Sequence, residues 1–334
     1  MNDIAEQIDA QKVADTPRVH RPHLGASQIG NPCNRALWYG LHWADSPKFP
    51  GRILRLFDRG QREEEVAIKH LRSIGCRITG QQKRLSDLDG IFSGSCDGII
   101  SRVPGYRNTD MILEIKTHNN KSFSNLQKKG VEKSKPLHYA QMQCYIKWSS
   151  LKRSLYYAIN KDNDEIYTEI IEYAGDAYYN SLKAKAKSII DADTPPERIS
   201  DDSNNFNCRF CDFKDVCHNK KIADVNCRTC VHSTIVKDCH AQCRRHNVQI
   251  PYEKQLVSEQ CPTHLLNPAL VPYKQIDAGD DYIEYKAEDT VIRNSESGDF
   301  PSVQFRVINP KLLDDEYIAE IQNRFEITFT EDIE

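Results

Sequence analysis

Residues 91–116 read IFSGSCDGIISRVPGYRNTDMILEIK, and this stretch decides the fold. Ile91–Val103 and Asp110–Lys116 each have the apolar, β-branched character of a strand, and Pro104-Gly105 opens a turn between them. Together they predict an antiparallel hairpin. Alternate side chains of a strand share a face. Glu114 and Lys116 therefore point one way, Ile115 points into the core, and the hairpin sets Asp97 beside Glu114. Two carboxylates with the backbone carbonyl of Ile115 form a hard oxygen site suited to Mg²⁺ or Mn²⁺. A cation held there polarises a phosphate and lowers the pKa of a bound water. Lys116 can orient that water and stabilise charge developing on the phosphate.

Taken alone, Glu-x-Lys on a strand is most often a solvated face, so the flanking segments matter. Upstream, a helix is expected after Pro50-Gly51, carrying Ile53, Leu54, Leu56, Phe57, Val66, Ile68 and Leu71 and stopping near Gly75. It bears Glu64 as a third carboxylate, with Glu63 as the fallback. Arg77–Leu85 is expected as a first strand. Downstream, a lysine-rich loop leads to a helix from Pro136 to about Trp148, with proline suited to its first turn. Gln141 and Tyr145, four apart, share one face of that helix. Ser154–Ile159 and Glu165–Ile171 read as two more strands, and a long helix runs from about Ala174 to Ile190.

The chain has 334 residues, 39% hydrophobic and 28% charged, with a formal net charge of −3. This is ordinary for a soluble protein of one core domain with appendages. There is no apolar run of membrane-spanning length, and the polar, acidic start lacks the apolar core of a signal peptide. A cytoplasmic setting is therefore expected, where thiols stay reduced. From Ile115 to Arg153 the cations are Lys116, Lys121, Lys128, Lys129, Lys133, Lys135, Lys147, Lys152 and Arg153, against the single carboxylate Glu132. Lys121, Lys128, Lys129, Lys133 and Lys135 are the candidate phosphate contacts.

The succession G-x-x-D-G, E-I-K and Q-x-x-x-Y at Gly94–Gly98, Glu114–Lys116 and Gln141–Tyr145 resembles the RecB-like branch of the PD-(D/E)XK nucleases. The family's helix glutamate or histidine ahead of the strands corresponds to Glu64. Cys96 stands where the family has a proline that is not a ligand. The resemblance spans about Ser27 to Cys217 and implies an α/β fold with a central mixed sheet flanked by helices. It further implies metal-dependent hydrolysis of DNA phosphodiesters, with Gln141 and Tyr145 positioning the scissile strand.

Twelve cysteines in a reducing compartment point to metal ligation rather than disulfides. Cys208-x2-Cys211-x5-Cys217, with Cys33 far upstream, resembles the iron–sulfur nucleases of the AddB and CRISPR-associated kinds. By that resemblance the four thiolates bind a [4Fe-4S] cluster; zinc is the alternative. Cys227-x2-Cys230 and Cys261-x2-His264 form a zinc-ribbon-like set, with Cys243 competing with His264 and His246 also eligible. Cys76, Cys96 and Cys144 suit unligated burial.

The expected division is a flexible tail at 1–26, a nuclease core at 27–221, a zinc-ribbon-like module at 222–270, and an acidic β-rich segment at 271–334 with a final helix near Asp314–Arg324. The Cys-rich stretch from Cys208 to His264 is expected to lack enough apolar surface to fold without metal. The functional expectation is a DNA exonuclease of recombination or end processing, in a phage or mobile-element setting. Its partner is single- or double-stranded DNA, with a recombination protein or a second copy of the chain as further partners. The rival from another class is a non-catalytic zinc or iron–sulfur protein that binds DNA or regulates.

Overall fold

The computed structural model describes residues 4–17, 20–256, 261–296, 300–308, 317, 320 and 321. The chain divides into two compact units, Met1–Pro32 with Lys48–Asp191, and Cys33–Pro47 with Ala192–Glu334. No helix among the described residues is long and apolar enough to cross a membrane.

The first unit is mixed α/β and is built on a five-stranded sheet. Its order is Arg77–Thr79, Gly98–Ser101, Met111–His118, Arg153–Asn160 and Ile166–Glu172. Within it, Met111–His118 and Arg153–Asn160 run parallel and the other pairs run antiparallel. Parallel neighbours need a crossover, supplied by the helices Asn120–Ser134 and Pro136–Ser149. Strand alternation sorts the two faces. Leu113, Ile115, Leu155, Tyr157 and Ile159 pack with Ala67, Ile68 and Leu71 of the Gly51–Ser73 helix. On the other face, Tyr156 and Ala158 pack with Phe123, Leu126 and Met142 of the crossover helices. A slip of one residue would exchange these layers and carry Glu114 and Lys116 into the apolar one, so both faces enforce the register.

The structure corrects several expectations. Arg77–Leu85 is not one strand: Arg77–Thr79 and Lys83–Asp87 lie in different sheets. The left-handed residues Gly80 (φ 58°) and Gln82 (φ 55°) divide them. Ile91–Val103 is likewise two strands. Phe92–Cys96 pairs with Lys83–Asp87, and Gly98–Ser101 pairs with Met111–His118. The lysine-rich loop is the helix Asn120–Ser134; Asn119 caps it by accepting from Ser122 N at 2.9 Å, and Phe123, Leu126 and Val131 anchor it. Within the expected N-terminal tail, Ile4–Asp15 is helical. None of its residues is buried, so apolar periodicity could not reveal it. Ion pairs Lys12–Asp58 (2.8 Å) and Asp9–Arg55 join it to the Gly51–Ser73 helix.

In the second unit, the strands Ser233–Ile235, Ala241–Cys243 and Val248–Ile250 form one antiparallel sheet. Lys274–Ala278, Tyr282–Ala287 and Thr290–Ser295 form another. One core joins Ile222, Val225, Leu265 and Leu266 to Tyr285, Ile292 and Phe305, so the expected boundary at 270/271 does not separate two cores. Nor is the Cys-rich stretch without an interior of its own. The Arg228 guanidinium lies 4.0 Å from the Trp43 ring and is 3% exposed. It donates to Gln255 Oε1 (2.7 Å), Leu41 O (2.7 Å) and Cys239 O (3.0 Å). The final helix expected near Asp314–Arg324 falls largely outside the described residues.

Candidate active site

Asp97 occupies the break where the chain passes from one sheet of the first unit to the other. Its Oδ2 accepts from Ile115 N at 2.6 Å, which ties the break to the central strand. Gly98 pairs with Leu113 across the hairpin, one step from Glu114. The two glycines flanking Asp97 have steric reasons. A Cβ on Gly98 would stand 2.9 Å from Ile78 Cγ2, and one on Gly94 would stand 2.4 Å from Tyr145 Oη.

Glu114 is fully buried. Its Oε1 accepts from Lys116 Nζ, while its Oε2 is buried with no hydrogen-bond partner among the described residues. Burial pushes its pKa from the usual 4.5 to about 7, against the pull of Lys116 and with the help of Asp97. Burial also raises Asp97, opposed by Lys116 and the Ile115 N–H. Burial works against the charge of Lys116, but Glu114 and Asp97 outweigh it and the ammonium is held above its ordinary value. Glu64 shares this field: burial first and Asp97 next raise its pKa, and Gln82 Nε2 donates to its Oε1 at 2.9 Å. Glu63 instead faces Arg59 at 3.7 Å.

Gln141 and Tyr145 come together as their spacing predicts. Gln141 Nε2 donates to Tyr145 Oη (3.2 Å), and Tyr145 Oη donates to Ser95 O (3.0 Å), on the strand that leads to Asp97. Gln141 Oε1 is buried and has no hydrogen-bond partner among the described residues. Lys121, Lys128, Lys129 and Lys133 are exposed on their helix, whereas Lys135 is half-buried and donates to Ser122 Oγ at 2.5 Å.

Sequence reasoning missed a polar group on the same sheet face. His118 lies two residues beyond Lys116, and Tyr156 is the register partner of Glu114. His138 lies three residues before Gln141 on the helix. Strand alternation carried one step further, and the i, i+3 spacing, were the available signals.

In the second unit, Cys33, Cys208, Cys211 and Cys217 line one concave site, together with Tyr39 and Arg198. Burial raises the thiols of Cys208 and Cys211, and their neighbours Cys33 and Cys217 add to it. Arg198 donates to the Cys217 carbonyl. Elsewhere in this unit burial pushes Cys230 up to about 12, with Cys261 and Cys227 beside it. His264 is buried; its Nε2 lies 3.0 Å from Asn226 O, and its Nδ1 has no partner among the described residues. Cys243 ends the Ala241–Cys243 strand, and His246 bonds Thr263 Oγ1 at 2.7 Å. Among the described residues, no three or more His, Cys, Asp or Glu side chains are gathered so as to hold a metal ion. Cys76, Cys96 and Cys144 are buried.

No family model and no curated protein matches the sequence. Among solved structures, the chain is similar to that of SSO0001, with 16% identity and a TM-score of 0.41 over 65% of this chain and 96% of that one. It is similar to an alkaline exonuclease from Laribacter hongkongensis, with 16% identity and a TM-score of 0.37 over 55% of this chain and 90% of that one. It is also similar to a phage related exonuclease from Haemophilus somnus 129PT, with 18% identity and a TM-score of 0.32 over 40% and 68%. At these TM-scores the likenesses carry no argument, and the functional reading rests on the chain's own residues.

Proposed function

We propose that the chain is a Mg²⁺- or Mn²⁺-dependent deoxyribonuclease, an exonuclease of recombination or end processing in a phage or mobile-element setting. The observation that carries this reading is the orphaned, buried Oε2 of Glu114 beside Asp97 and Lys116. A buried carboxylate oxygen left without a hydrogen bond is costly even when its twin pairs with Lys116, and a divalent cation is the natural compensation. Glu114, Asp97, Glu64 and the Ile115 carbonyl would hold the cation, which supplies Lewis acidity and an activated water. Lys116 keeps its charge beside them and stabilises negative charge developing on a phosphate oxygen. Gln141 and Tyr145, bonded to each other and to Ser95, present a fixed polar edge to the scissile strand. The exposed lysines of the Asn120–Ser134 helix hold phosphates without regard to sequence.

The second unit would carry two further cofactors. Cys33, Cys208, Cys211 and Cys217, which line one concave site, would supply the four thiolates of a [4Fe-4S] cluster. Zinc is the alternative there. Cys227, Cys230, Cys261 and His264 would take Zn²⁺. The proton of His264 on Nε2, donated to the Asn226 carbonyl, leaves Nδ1 as a bare acceptor, the state a ligating imidazole needs. DNA is the partner, in the cytoplasm, with a recombination protein or a second copy as further candidates. Incubating the purified chain with labelled linear, circular and single-stranded DNA, in Mn²⁺ or in EDTA, tests the reading. Cation-dependent cleavage supports it, and binding without cleavage in any cation favours the non-catalytic rival.

A further inference from the structure

The face that bears Glu114 and Lys116 continues to His118, where a chain of hydrogen bonds begins. Lys135 Nζ donates to Ser122 Oγ at 2.5 Å, and Ser122 Oγ lies 3.1 Å from His118 Nδ1. His118 Nε2 lies 2.9 Å from Tyr156 Oη, which lies 2.8 Å from His138 Nδ1. The rings of His118 and His138 stand 5.8 Å apart, inclined by 29°.

The donor inventory limits the proton order. An ammonium only donates, so Ser122 Oγ accepts from Lys135. Two opposite orders then remain, and each leaves one polar hydrogen unpaired within the series, on Ser122 in the reverse order and on His138 in the forward one. In the forward order Ser122 donates to His118 Nδ1, His118 donates from Nε2 to Tyr156, and Tyr156 donates to His138 Nδ1. That order places the proton of His138 on Nε2, the one nitrogen of the series with no partner among the described residues. Burial and the nearby Lys116 hold His138 far below its ordinary value, at about 3, so this donor stays neutral. A neutral N–H near Lys116 suits a phosphate oxygen. It donates without adding a cation to a place already charged, and it does not compete for the carboxylates.

We propose that His138 is a substrate-contacting residue whose Nε2–H donates to a phosphate oxygen of the nucleic-acid strand bound beside Lys116. Tyr156, His118, Ser122 and Lys135 are positioning residues that fix its tautomer. The proposal rests on the nuclease reading and adds a contact that the carboxylates, Gln141 and Tyr145 do not provide.

The test uses the full chain and single-stranded oligonucleotides carrying one neutral methylphosphonate at each position in turn, with and without a terminal phosphate. Cleavage is measured in Mn²⁺. Binding is measured by fluorescence anisotropy in EDTA, so contact is read independently of turnover. His138→Ala is expected to lower kcat/KM by about ten- to a hundredfold, the worth of one hydrogen bond to a charged group. His138→Gln, which returns an N–H at similar reach, should recover most of the loss, and Tyr156→Phe should fall between. In the wild type one methylphosphonate position should carry a penalty that disappears in His138→Ala. If that position is the terminal phosphate, the contact is to a strand end, and otherwise to an internal phosphodiester. An unchanged methylphosphonate profile in His138→Ala, or a uniform loss that His138→Gln does not repair, overturns the proposal. Absence of wild-type cleavage in any divalent cation overturns the nuclease reading instead, while the anisotropy profile still decides whether His138 meets a phosphate.

Discussion

Glu114→Gln removes the most costly charge of the first unit and keeps its shape. In the chelated protein, burial raises the Glu114 pKa from 4.5 to about 7. An acid whose pKa is raised on folding holds its proton more tightly in the folded state. Its contribution to stability is full below about pH 4.5 and is lost as the pH rises through about 7. At about 1.4 kcal/mol per pH unit, that interval is worth roughly 3 kcal/mol. Asp97 and Glu64 are also raised and act with the same sign. Lys116, held above its ordinary value, stays charged throughout and adds no slope there. For a unit of this size 1 kcal/mol moves Tm by about 2–4 °C, so the Glu114 share is about 6–12 °C. The assay is thermal unfolding in EDTA at about pH 5 and about pH 8, wild type against Glu114→Gln. The wild type should lose that much more than the variant over this range. Mn²⁺ at the higher pH should restore the wild type more than the variant, because the variant has lost one of the three carboxylates that would hold the cation. Parallel pH profiles, or equal rescue by Mn²⁺, would refute the reasoning.

Gly94→Ala should cut turnover by up to about a hundredfold with little change in KM, because the new Cβ would stand 2.4 Å from Tyr145 Oη and displace it; steady-state kinetics check it. Removing charge at Lys121, Lys128, Lys129 and Lys133 should weaken DNA binding for every sequence and flatten the dependence of log K on log salt by about 0.7–0.9 per lost contact. Lys135→Ala should act differently and lower turnover, since that ammonium is engaged with Ser122. Anaerobically purified protein should be brown, with about four irons. Cys33→Ser should lose colour and iron but leave any zinc held by Cys227, Cys230 and Cys261 in place, as elemental analysis would show.

Much of the first unit was legible because its information is local. Alternation along Met111–His118 sets Glu114 and Lys116 on one face whatever lies around them, and the spacing of Gln141 and Tyr145 does the same on a helix. The break at Asp97 was not legible. Phe92–Cys96 and Gly98–Ser101 each read as strand, and only their partners, Lys83–Asp87 and Met111–His118, show that the chain changes sheets between them. The crossover helix Asn120–Ser134 was hidden by its lysines, since its apolar anchors are few. The second unit was least legible. Its core joins Ile222, Leu265, Tyr285 and Phe305, too far apart in sequence to form a periodic pattern. Arg228, buried in that unit, looks like any surface arginine until Trp43, Gln255 and two carbonyls surround it. The His118–Tyr156–His138 series lay within reach of the alternation rule and was missed because the rule was stopped at Lys116.

The proposed function makes Asp97, Glu114 and Lys116 a cation-dependent phosphodiester-cleaving site. The direct measurement is single-turnover cleavage of end-labelled linear DNA in Mn²⁺ by the wild type and by Asp97→Asn, Glu114→Gln and Lys116→Ala, each verified as folded and each assayed for DNA binding. The account predicts cleavage by the wild type that EDTA abolishes, loss of cleavage in all three variants, and DNA affinity within a few-fold of wild type. Cleavage near the wild-type rate by all three folded variants, or wild-type cleavage that persists unchanged in EDTA, would contradict it.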